Sequence, residues 1–197
     1  MGTMIYYLMG KSASGKDSIY RRILEELPQL RRVILYTTRP KRSGETDGVE
    51  YRFIDDAEFF RLKEAGRLIE YREYNTVHGI WRYATVDDGQ TEPDRYDYLM
   101  IGTLESYAAT RKYFGSDKLC PVYVTVDDGE RLIRAIRREQ SQEKPQYAEM
   151  CRRFLADEED FSAENLAKNG IDREFRNDVL EDCIEEIREL IAGGRNV

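Results

Sequence analysis

The chain has 197 residues, of which 41% are apolar, so it fits one domain, or a core with small insertions, that can bury a sizeable interior. Its formal net charge of −7 argues against a general nucleic-acid binder and against attachment to an anionic membrane surface. Three widely separated cysteines and the lack of any apolar run near about 18 residues favour a cytoplasmic protein with no membrane span.

The first predicted elements surround a loop at residues 10–18 that reads G-K-S-A-S-G-K-D-S. The apolar run 4–9 predicts a buried strand, and apolar residues at helical spacing over 18–27 predict a helix. G-x-x-x-x-G-K between a strand and a helix is typical of a phosphate-binding loop, in which backbone N–H groups hold the anion and Lys16 would reach the β and γ phosphates. We therefore assign ATP binding to Gly10, Lys11, Ser12, Ala13, Ser14, Gly15, Lys16, Asp17 and Ser18.

Asp17 stands where this motif normally has a Ser or Thr whose hydroxyl holds Mg²⁺. Carboxylate oxygens are also suitable ligands for Mg²⁺, so Asp17 is a candidate metal ligand, directly or through water. The alternative is that Asp17 only caps the helix, while phosphates and water hold the metal.

Residues 37–94 have a different texture from the rest of the chain. They begin with a polar, basic, glycine-containing segment and continue with short aromatic-rich stretches, which together predict a small mixed-β lobe. The elements predicted in and just before it are strands over 32–36 and 51–54, a helix from an N-cap at Asp55 to Ala65, and strands over 68–74 and 80–86.

From about residue 95, strands and helices alternate, which predicts a parallel sheet covered by helices on both faces. The polar segment 139–146 carries Pro145 and predicts a mobile loop. The remaining predicted elements are strands over 98–101, 118–126 and 173–177 and helices over 103–114, 127–138, 147–168 and 180–191.

The basic segment 37–51 reads T-T-R-P-K-R-S-G-E-T-D-G-V-E-Y. Arg39 and Arg42 can converge on one dianion, since guanidinium forks match phosphate oxygens, and Tyr51 offers a hydroxyl nearby. Taken alone, the segment would favour a solvated basic loop. Joined to the phosphate loop, it resembles the guanylate kinase family, in which T-T-R-x-x-R-x-G-E-x-x-G-x-x-Y follows a strand, phosphate loop, helix and strand in the same order.

The resemblance extends from Met4 to about Leu190 and implies transfer of the γ-phosphoryl group of ATP to GMP, with Mg²⁺ accompanying ATP. It implies a P-loop NTPase-type α/β fold: a three-layer α/β/α core with a parallel central sheet, a mixed-β acceptor lobe and a mobile lid. One domain is expected over 1–197, acting as a monomer or homodimer. Its parts are a core over about 1–36, 95–137 and 154–197, a GMP-binding lobe over 37–94 and a lid over 138–153.

Site residues follow from the positions that match the family's motifs. The resemblance implies that Glu70 reads the guanine N–H edge, and that Tyr83 and Thr85, after an insertion of about four residues, reach the phosphate and the base. The implied GMP-binding residues are Arg39, Arg42, Tyr51, Glu70, Tyr83 and Thr85. The implied catalytic residues are Lys16, Arg39, Arg138 and Arg153, and Asn177 joins the ATP-binding set.

Two further departures from the family pattern keep alternatives open. Leu35 replaces a serine that precedes the arginine motif, and Ile101 stands in a strand that usually carries acids. The acid missing from that strand is a reason to expect Asp17 as a relocated metal ligand. One alternative is a kinase of the same fold for a different small phosphate-bearing acceptor, and another is a non-catalytic guanylate-kinase-like module that binds proteins.

Overall fold

A computed structural model of the chain describes residues 3–42, 44–76 and 79–193, so Ser43 of the arginine segment and Val77 and His78 of the insertion lie outside the described residues. The strands are β1 (Ile5–Met9), β2 (Arg31–Arg32), β3 (Tyr36–Thr37), β4 (Arg52–Phe53), β5 (Leu68–Thr76), β6 (Gly79–Val86), β7 (Tyr98–Gly102), β8 (Leu119–Thr125) and β9 (Glu174–Arg176). The helices are α1 (Lys16–Glu26), α2 (Asp56–Glu64), α3 (Leu104–Phe114), α4 (Asp128–Gln140), α5 (Tyr147–Asp160), α6 (Ala163–Lys168) and α7 (Leu180–Gly193).

The central sheet has the strand order β2-β7-β1-β8-β9, and every pairing in it is parallel. Side chains of β1 alternate between two buried clusters: Tyr6 and Leu8 pack with α1 and α7, whereas Ile5 and Tyr7 pack with α3. The sheet is therefore covered on both faces, as a parallel sheet requires. The predicted three-layer α/β/α class with a parallel central sheet is confirmed.

A second, mixed sheet has the order β4-β3-β6-β5. Its β5–β6 hairpin is antiparallel, with Glu70 opposite Thr85 and Arg72 opposite Tyr83. Residues that face each other across an antiparallel pair point to the same side, so these four side chains share one face of the hairpin. The other face packs against α2, where Phe59 contacts the hairpin core. The face that carries Glu70, Arg72, Tyr83 and Thr85 is directed toward Tyr7 of β1 and toward α3.

Most predicted elements are present, and the residues predicted to begin three of the helices are their N-caps. Asp55, Thr103 and Asp127 each accept hydrogen bonds from the backbone N–H groups of the helix that follows. Within the described ranges, no helix is long and apolar enough to cross a membrane.

The strand predicted over 32–36 is wrong as a single element. Its beginning pairs with the central sheet as β2 and its end pairs with the lobe sheet as β3. Between them, the peptide N–H and C=O of Ile34 both bond the side-chain amide of Gln90, at 2.6 and 3.1 Å. This exchange satisfies the backbone outside a ladder while the chain passes from one sheet to the other.

The helix predicted over 147–168 is also wrong as a single element, because α5 ends at Asp160 and a separate helix, α6, begins at Ala163. Phe161 turns into the core and stacks on Tyr123, with ring centroids 5.4 Å apart. Ser162 then restarts the helix as an N-cap that accepts from the N–H of Asn165. Burial of one aromatic ring therefore overrides the helical tendency of the charged segment.

Candidate active site

The phosphate loop joins β1 to α1 at the carboxyl end of the central sheet, the usual position for ligands in open α/β sheets. A Cβ atom at Gly10 would collide with the carbonyl oxygen of Val124, and one at Gly15 would collide with the amide of Asn177. Gly15 also has φ of +90°, in the left-handed region. Ser14 Oγ is buried and has no hydrogen-bond partner among the described residues. The loop thus combines two required glycines with an unpaired hydroxyl, a combination suited to an anion.

Lys16 begins α1, and its Nζ lies 3.9 Å from a carboxylate oxygen of Asp17. The Asp17 side chain is 83% exposed, and the N-cap of α1 is Gly15, with no side-chain capping bond. Asp17 therefore does not cap the helix through its side chain, and the alternative in which phosphates and water hold the metal stays a prediction. Burial raises the pKa of Tyr51, and Asp17 adds to the rise, so this carboxylate lies on the side of the loop that faces the lobe.

Few protein ligands surround the site where a metal would accompany the phosphates. Within residues 3–42, 44–76 and 79–193, no group of three or more His, Cys, Asp or Glu side chains is arranged to hold a metal ion. One exposed carboxylate at a phosphate loop nevertheless fits Mg²⁺, which keeps several waters and takes one or two carboxylates together with substrate phosphates.

Arg39 is buried in the lobe, and Glu45 holds one edge of its guanidinium. Arg39 Nη1 donates to Glu45 Oε2 at 2.7 Å and to the Pro40 carbonyl at 2.9 Å, and Nη2 donates to Glu45 Oε1. These bonds use three of the five N–H groups, and the two that remain, on Nε and Nη2, form an edge available to Tyr83, which also bonds Arg39, and to an anion. The hydrogen bond with Glu45 is the main reason that the pKa of Arg39 is raised.

Two tyrosines lie beside this guanidinium. Arg39 lies 5.1 Å from the ring centroid of Tyr51, and the ring of Tyr51 meets that of Tyr83 edge-on at 5.7 Å. Tyr83 also contributes to the raised pKa of Arg39, after Glu45. Three of the four predicted phosphate contacts are therefore brought together, whereas the side chain of Arg42 is exposed and only its N–H joins the group, by donating to Glu45.

Glu70 and Thr85 lie at the other end of the hairpin face. Thr85 Oγ1 donates to Glu70 Oε1 at 2.7 Å, and both residues are buried. Burial raises the pKa of Tyr7 to about 12, and Glu70 contributes to that rise, so the carboxylate lies close to the central sheet. The predicted base-reading pair is thus assembled, with one carboxylate oxygen already paired and the other, Oε2, without a hydrogen bond in the described part of the chain.

The two predicted lid arginines are not brought to the phosphate loop. Arg138 is exposed near the end of α4, and Arg153, 55% exposed on α5, pairs with Glu149 at 2.9 Å. Arg134, for which the sequence favours a solvated helix face, is instead half-buried and donates to the carbonyl of Asn177 at 3.1 Å. Asn177 in turn donates to the carbonyl of Ser14 at 2.7 Å, so the predicted ATP-binding asparagine does contact the loop.

Sequence reasoning missed an ionic cluster behind the phosphate loop. Arg131 is 1% exposed and contacts Asp157 and Glu158 of α5. Its Nη1 also donates to the carbonyl of Ser12, whose N–H donates to Asp157 at 2.7 Å. Lys11 completes the cluster with bonds of 2.7 and 2.8 Å to Glu158. Positions 131, 135 and 139 share one helix face, but two of them are charged and their burial is evident only in the folded chain, so the sequence alone provides no signal for this cluster.

The chain is similar to known proteins over most of its length. A family model described as guanylate kinase matches residues 3–88. The guanylate kinase of Bordetella pertussis is 33% identical over 155 residues, which is 77% of this chain and 67% of that protein. The guanylate kinase of Symbiobacterium thermophilum is 32% identical over 190 residues, 95% of this chain and 84% of that protein.

A solved structure shares the fold. The crystal structure of guanylate kinase from Anaplasma phagocytophilum superimposes with a TM-score of 0.62 at 19% identity, covering 98% of this chain and 86% of that one. At that identity the likeness describes the fold alone. The family model, by contrast, matches residues that include both the phosphate loop and most of the lobe.

Proposed function

The chain belongs to the guanylate kinase family, and from that premise we propose that it transfers the γ-phosphoryl group of ATP to GMP, giving ADP and GDP. The observation that carries the proposal is the pairing of two half-sites: an intact phosphate loop on the central sheet and a buried Glu70–Thr85 pair on the lobe face that looks toward it. The other two interpretations of the sequence, a different acceptor and a non-catalytic module, are not needed.

On the donor side, the loop N–H groups and the N-terminus of α1 bind the phosphates of ATP. Lys16 neutralises charge on the β and γ phosphates, and Arg138 and Arg153 complete this in a closed lid, which we infer from their sequence positions. Asn177 and Arg134 lie beside Gly15, where they can contact the rest of the donor nucleotide.

On the acceptor side, the free edge of Arg39 and the hydroxyl groups of Tyr51 and Tyr83 bind the phosphate of GMP, with Arg42 closing from the exposed side. Glu70 accepts from N1 and N2 of guanine, since a carboxylate matches two adjacent donors, and Thr85 orients Glu70. Fixing both phosphates in line is the main task of the protein, because phosphoryl transfer depends on positioning and charge stabilisation.

Asp17 is the residue that would hold Mg²⁺ with ATP. The metal ion, when bound, shields the charge of the donor phosphates. We propose a cytoplasmic enzyme, in agreement with three free cysteines at positions 120, 151 and 183, acting as a monomer or homodimer on nucleotides and on no nucleic acid.

The test is an assay of ADP release with ATP and Mg²⁺ in the presence of GMP, dGMP, AMP, CMP or UMP. We expect turnover with GMP and dGMP and little with the others, because only guanine offers adjacent donors to Glu70. Glu70→Gln should lower kcat/KM for GMP and leave ATP binding unchanged. Turnover with AMP or a pyrimidine nucleotide in preference to GMP would contradict the proposal.

A further inference from the structure

One buried cation on the acceptor face is left without a role by the site described above. Arg72 shares that face of the β5–β6 hairpin with Glu70 and lies opposite Tyr83. Its side chain is 14% exposed, and its Nε lies 3.3 Å from Glu70 Oε2. Neither atom makes a hydrogen bond within the described residues, although both are buried. The two atoms form an ion pair with each other, and another part of the guanidinium bonds Tyr74, so each of the two atoms still has hydrogen-bonding capacity for a further partner.

The surroundings keep this guanidinium charged. Burial lowers the pKa of Arg72, but Glu70 and then Tyr74 outweigh that effect, so the pKa is raised overall. Arg72 also lowers the pKa of Tyr51, which the neighbouring Tyr83 raises. Arg72 lies beside Glu70, at 3.3 Å from Nε to Oε2, and faces Tyr83 across the hairpin, so it stands between the proposed base-reading carboxylate and a proposed phosphate-binding tyrosine.

Guanine carries its polar atoms in a matching order. Its N2 and N1 donors are followed by the O6 acceptor and then by N7, and an arginine fork pairs bidentately with O6 and N7. A carboxylate at the donor edge followed by a guanidinium nearer the phosphate end is complementary to that order. The side chains of Leu35 and Ile101, in the segments where the family has polar base contacts, offer no hydrogen-bonding group.

We propose that Arg72 is a specificity-determining residue that donates to O6 and N7 of the acceptor guanine while Glu70 accepts from N1 and N2. The inference rests on the proposed GMP-binding function. It also explains why Arg72 and Glu70 lie side by side: each neutralises the other while the site is empty of substrate, and each then takes its own edge of the base.

The test removes the hydrogen-bonding group from each side of the contact: N7 of the base and the guanidinium of Arg72. Equilibrium binding of GMP and of 7-deaza-GMP, in which carbon replaces N7, is measured by calorimetry for the wild type, Arg72→Ala and the near-isosteric Arg72→Met. We expect the wild type to bind 7-deaza-GMP about tenfold more weakly than GMP, since N7 accepts from a charged donor. In both variants, GMP should bind at least about tenfold more weakly, and the two nucleotides should bind equally.

A matched control is Arg82→Met, which removes an equally buried arginine of the same lobe from the opposite face, where it pairs with Asp56 and Glu73. This variant should keep the preference for GMP over 7-deaza-GMP, even if the lobe is less stable. ADP binding to all variants, at the unchanged phosphate loop, confirms that each is folded.

Three results would overturn the inference. Equal weakening of GMP and 7-deaza-GMP by the Arg72 variants, with the wild-type preference retained, would assign Arg72 to the phosphate. Loss of the preference for GMP over IMP, which lacks the 2-amino group, with the N7 preference retained, would make Arg72 a support for Glu70. Failure of the wild type to bind GMP would overturn both the inference and the proposed function. GMP binding without turnover would overturn only the proposed transfer, and the comparison of GMP with 7-deaza-GMP would still decide the role of Arg72.

Discussion

At the scale of single residues, the pair between Arg39 and Glu45 fixes the orientation of the arginine that we propose binds the acceptor phosphate. Glu45 accepts hydrogen bonds from Nη1 and Nη2 of Arg39 and makes none with Nε. The orientation of the guanidinium is therefore fixed before a substrate binds. The bond to Arg39, followed by the backbone N–H of Arg42, lowers the pKa of Glu45 from 4.5 to about 2. The pair therefore persists well into the acid range.

A pH dependence follows from the direction of that shift. Because the pKa of Glu45 is lower in the folded chain than in the unfolded chain, its ionised form stabilises the fold above about 4.5, and this stabilisation is lost as the pH falls toward about 2. Glu45→Gln should therefore unfold at lower urea than the wild type at pH 7, with the difference shrinking below pH 4.5. Glu64→Gln, at the exposed end of α2, serves as the control; a difference independent of pH would contradict the assignment.

Asp17 allows a prediction at the donor site. If its carboxylate holds the metal, Asp17→Ala should raise the Mg²⁺ concentration needed for half-maximal turnover by about tenfold, and excess Mg²⁺ should restore part of the rate. Asp17→Ser, which restores the usual hydroxyl of the motif, should return the Mg²⁺ requirement toward that of the wild type. Turnover by Asp17→Ala with an unchanged Mg²⁺ dependence would show that phosphates and water alone hold the metal.

At the scale of elements, α5 is tied to the phosphate loop by charges that are buried behind it. Asp157 accepts the N–H of Ser12, and Arg131 bridges Asp157 to the carbonyl of the same residue. Both peptide groups of Ser12 are thus fixed by side chains from two helices. Since α5 also carries Arg153, one of the predicted lid arginines, we expect any movement of that lid to alter the loop through this contact.

Removing Asp157 tests that connection. Asp157→Ala leaves the N–H of Ser12 and the buried Arg131 short of a partner, which should destabilise the fold by about 1–3 kcal/mol. KM for ATP should rise more than KM for GMP, since the contact belongs to the donor loop. Glu159→Ala, an exposed neighbour on the same helix, should change neither value. Unfolding by urea and steady-state kinetics measure the two effects, and equal changes in both KM values would argue against a donor-loop role.

At the scale of the whole molecule, the predicted donor and acceptor residues lie on different sheets, so we expect each ligand to stabilise the chain through its own site. A ligand present at 100 times its Kd stabilises the folded chain by about 2.7 kcal/mol, or about 5–10 °C in unfolding temperature for a chain of this size. We expect ADP and GMP each to give such a shift by differential scanning calorimetry. Lys16→Ala should lose the ADP shift alone and Glu70→Gln the GMP shift alone; loss of both shifts in one variant would mean that the sites are not separate.

Sequence patterns predicted the middle of the central sheet because β1, β7 and β8 are mainly apolar runs, and clear helix caps stand at Thr103 and Asp127. They did not predict the division of 32–36 between two sheets or the break at Phe161, because both depend on distant partners, Gln90 and Tyr123. The acceptor residues were predicted by motif, whereas Arg72 and Arg131 resemble ordinary surface arginines in sequence and acquire their surroundings only when the chain is folded.

The bond from Asn177 to the carbonyl of Ser14 joins residues 163 positions apart. The phosphate-loop motif lies near the first residues of the sequence, but the conformation of the loop also depends on Asn177, which follows β9, the last strand of the central sheet. During synthesis, the loop therefore lacks this support until residue 177, which is 163 positions later, has been made. We therefore expect a ribosome-bound fragment that ends before residue 177 to bind ATP more weakly than the chain that includes Asn177.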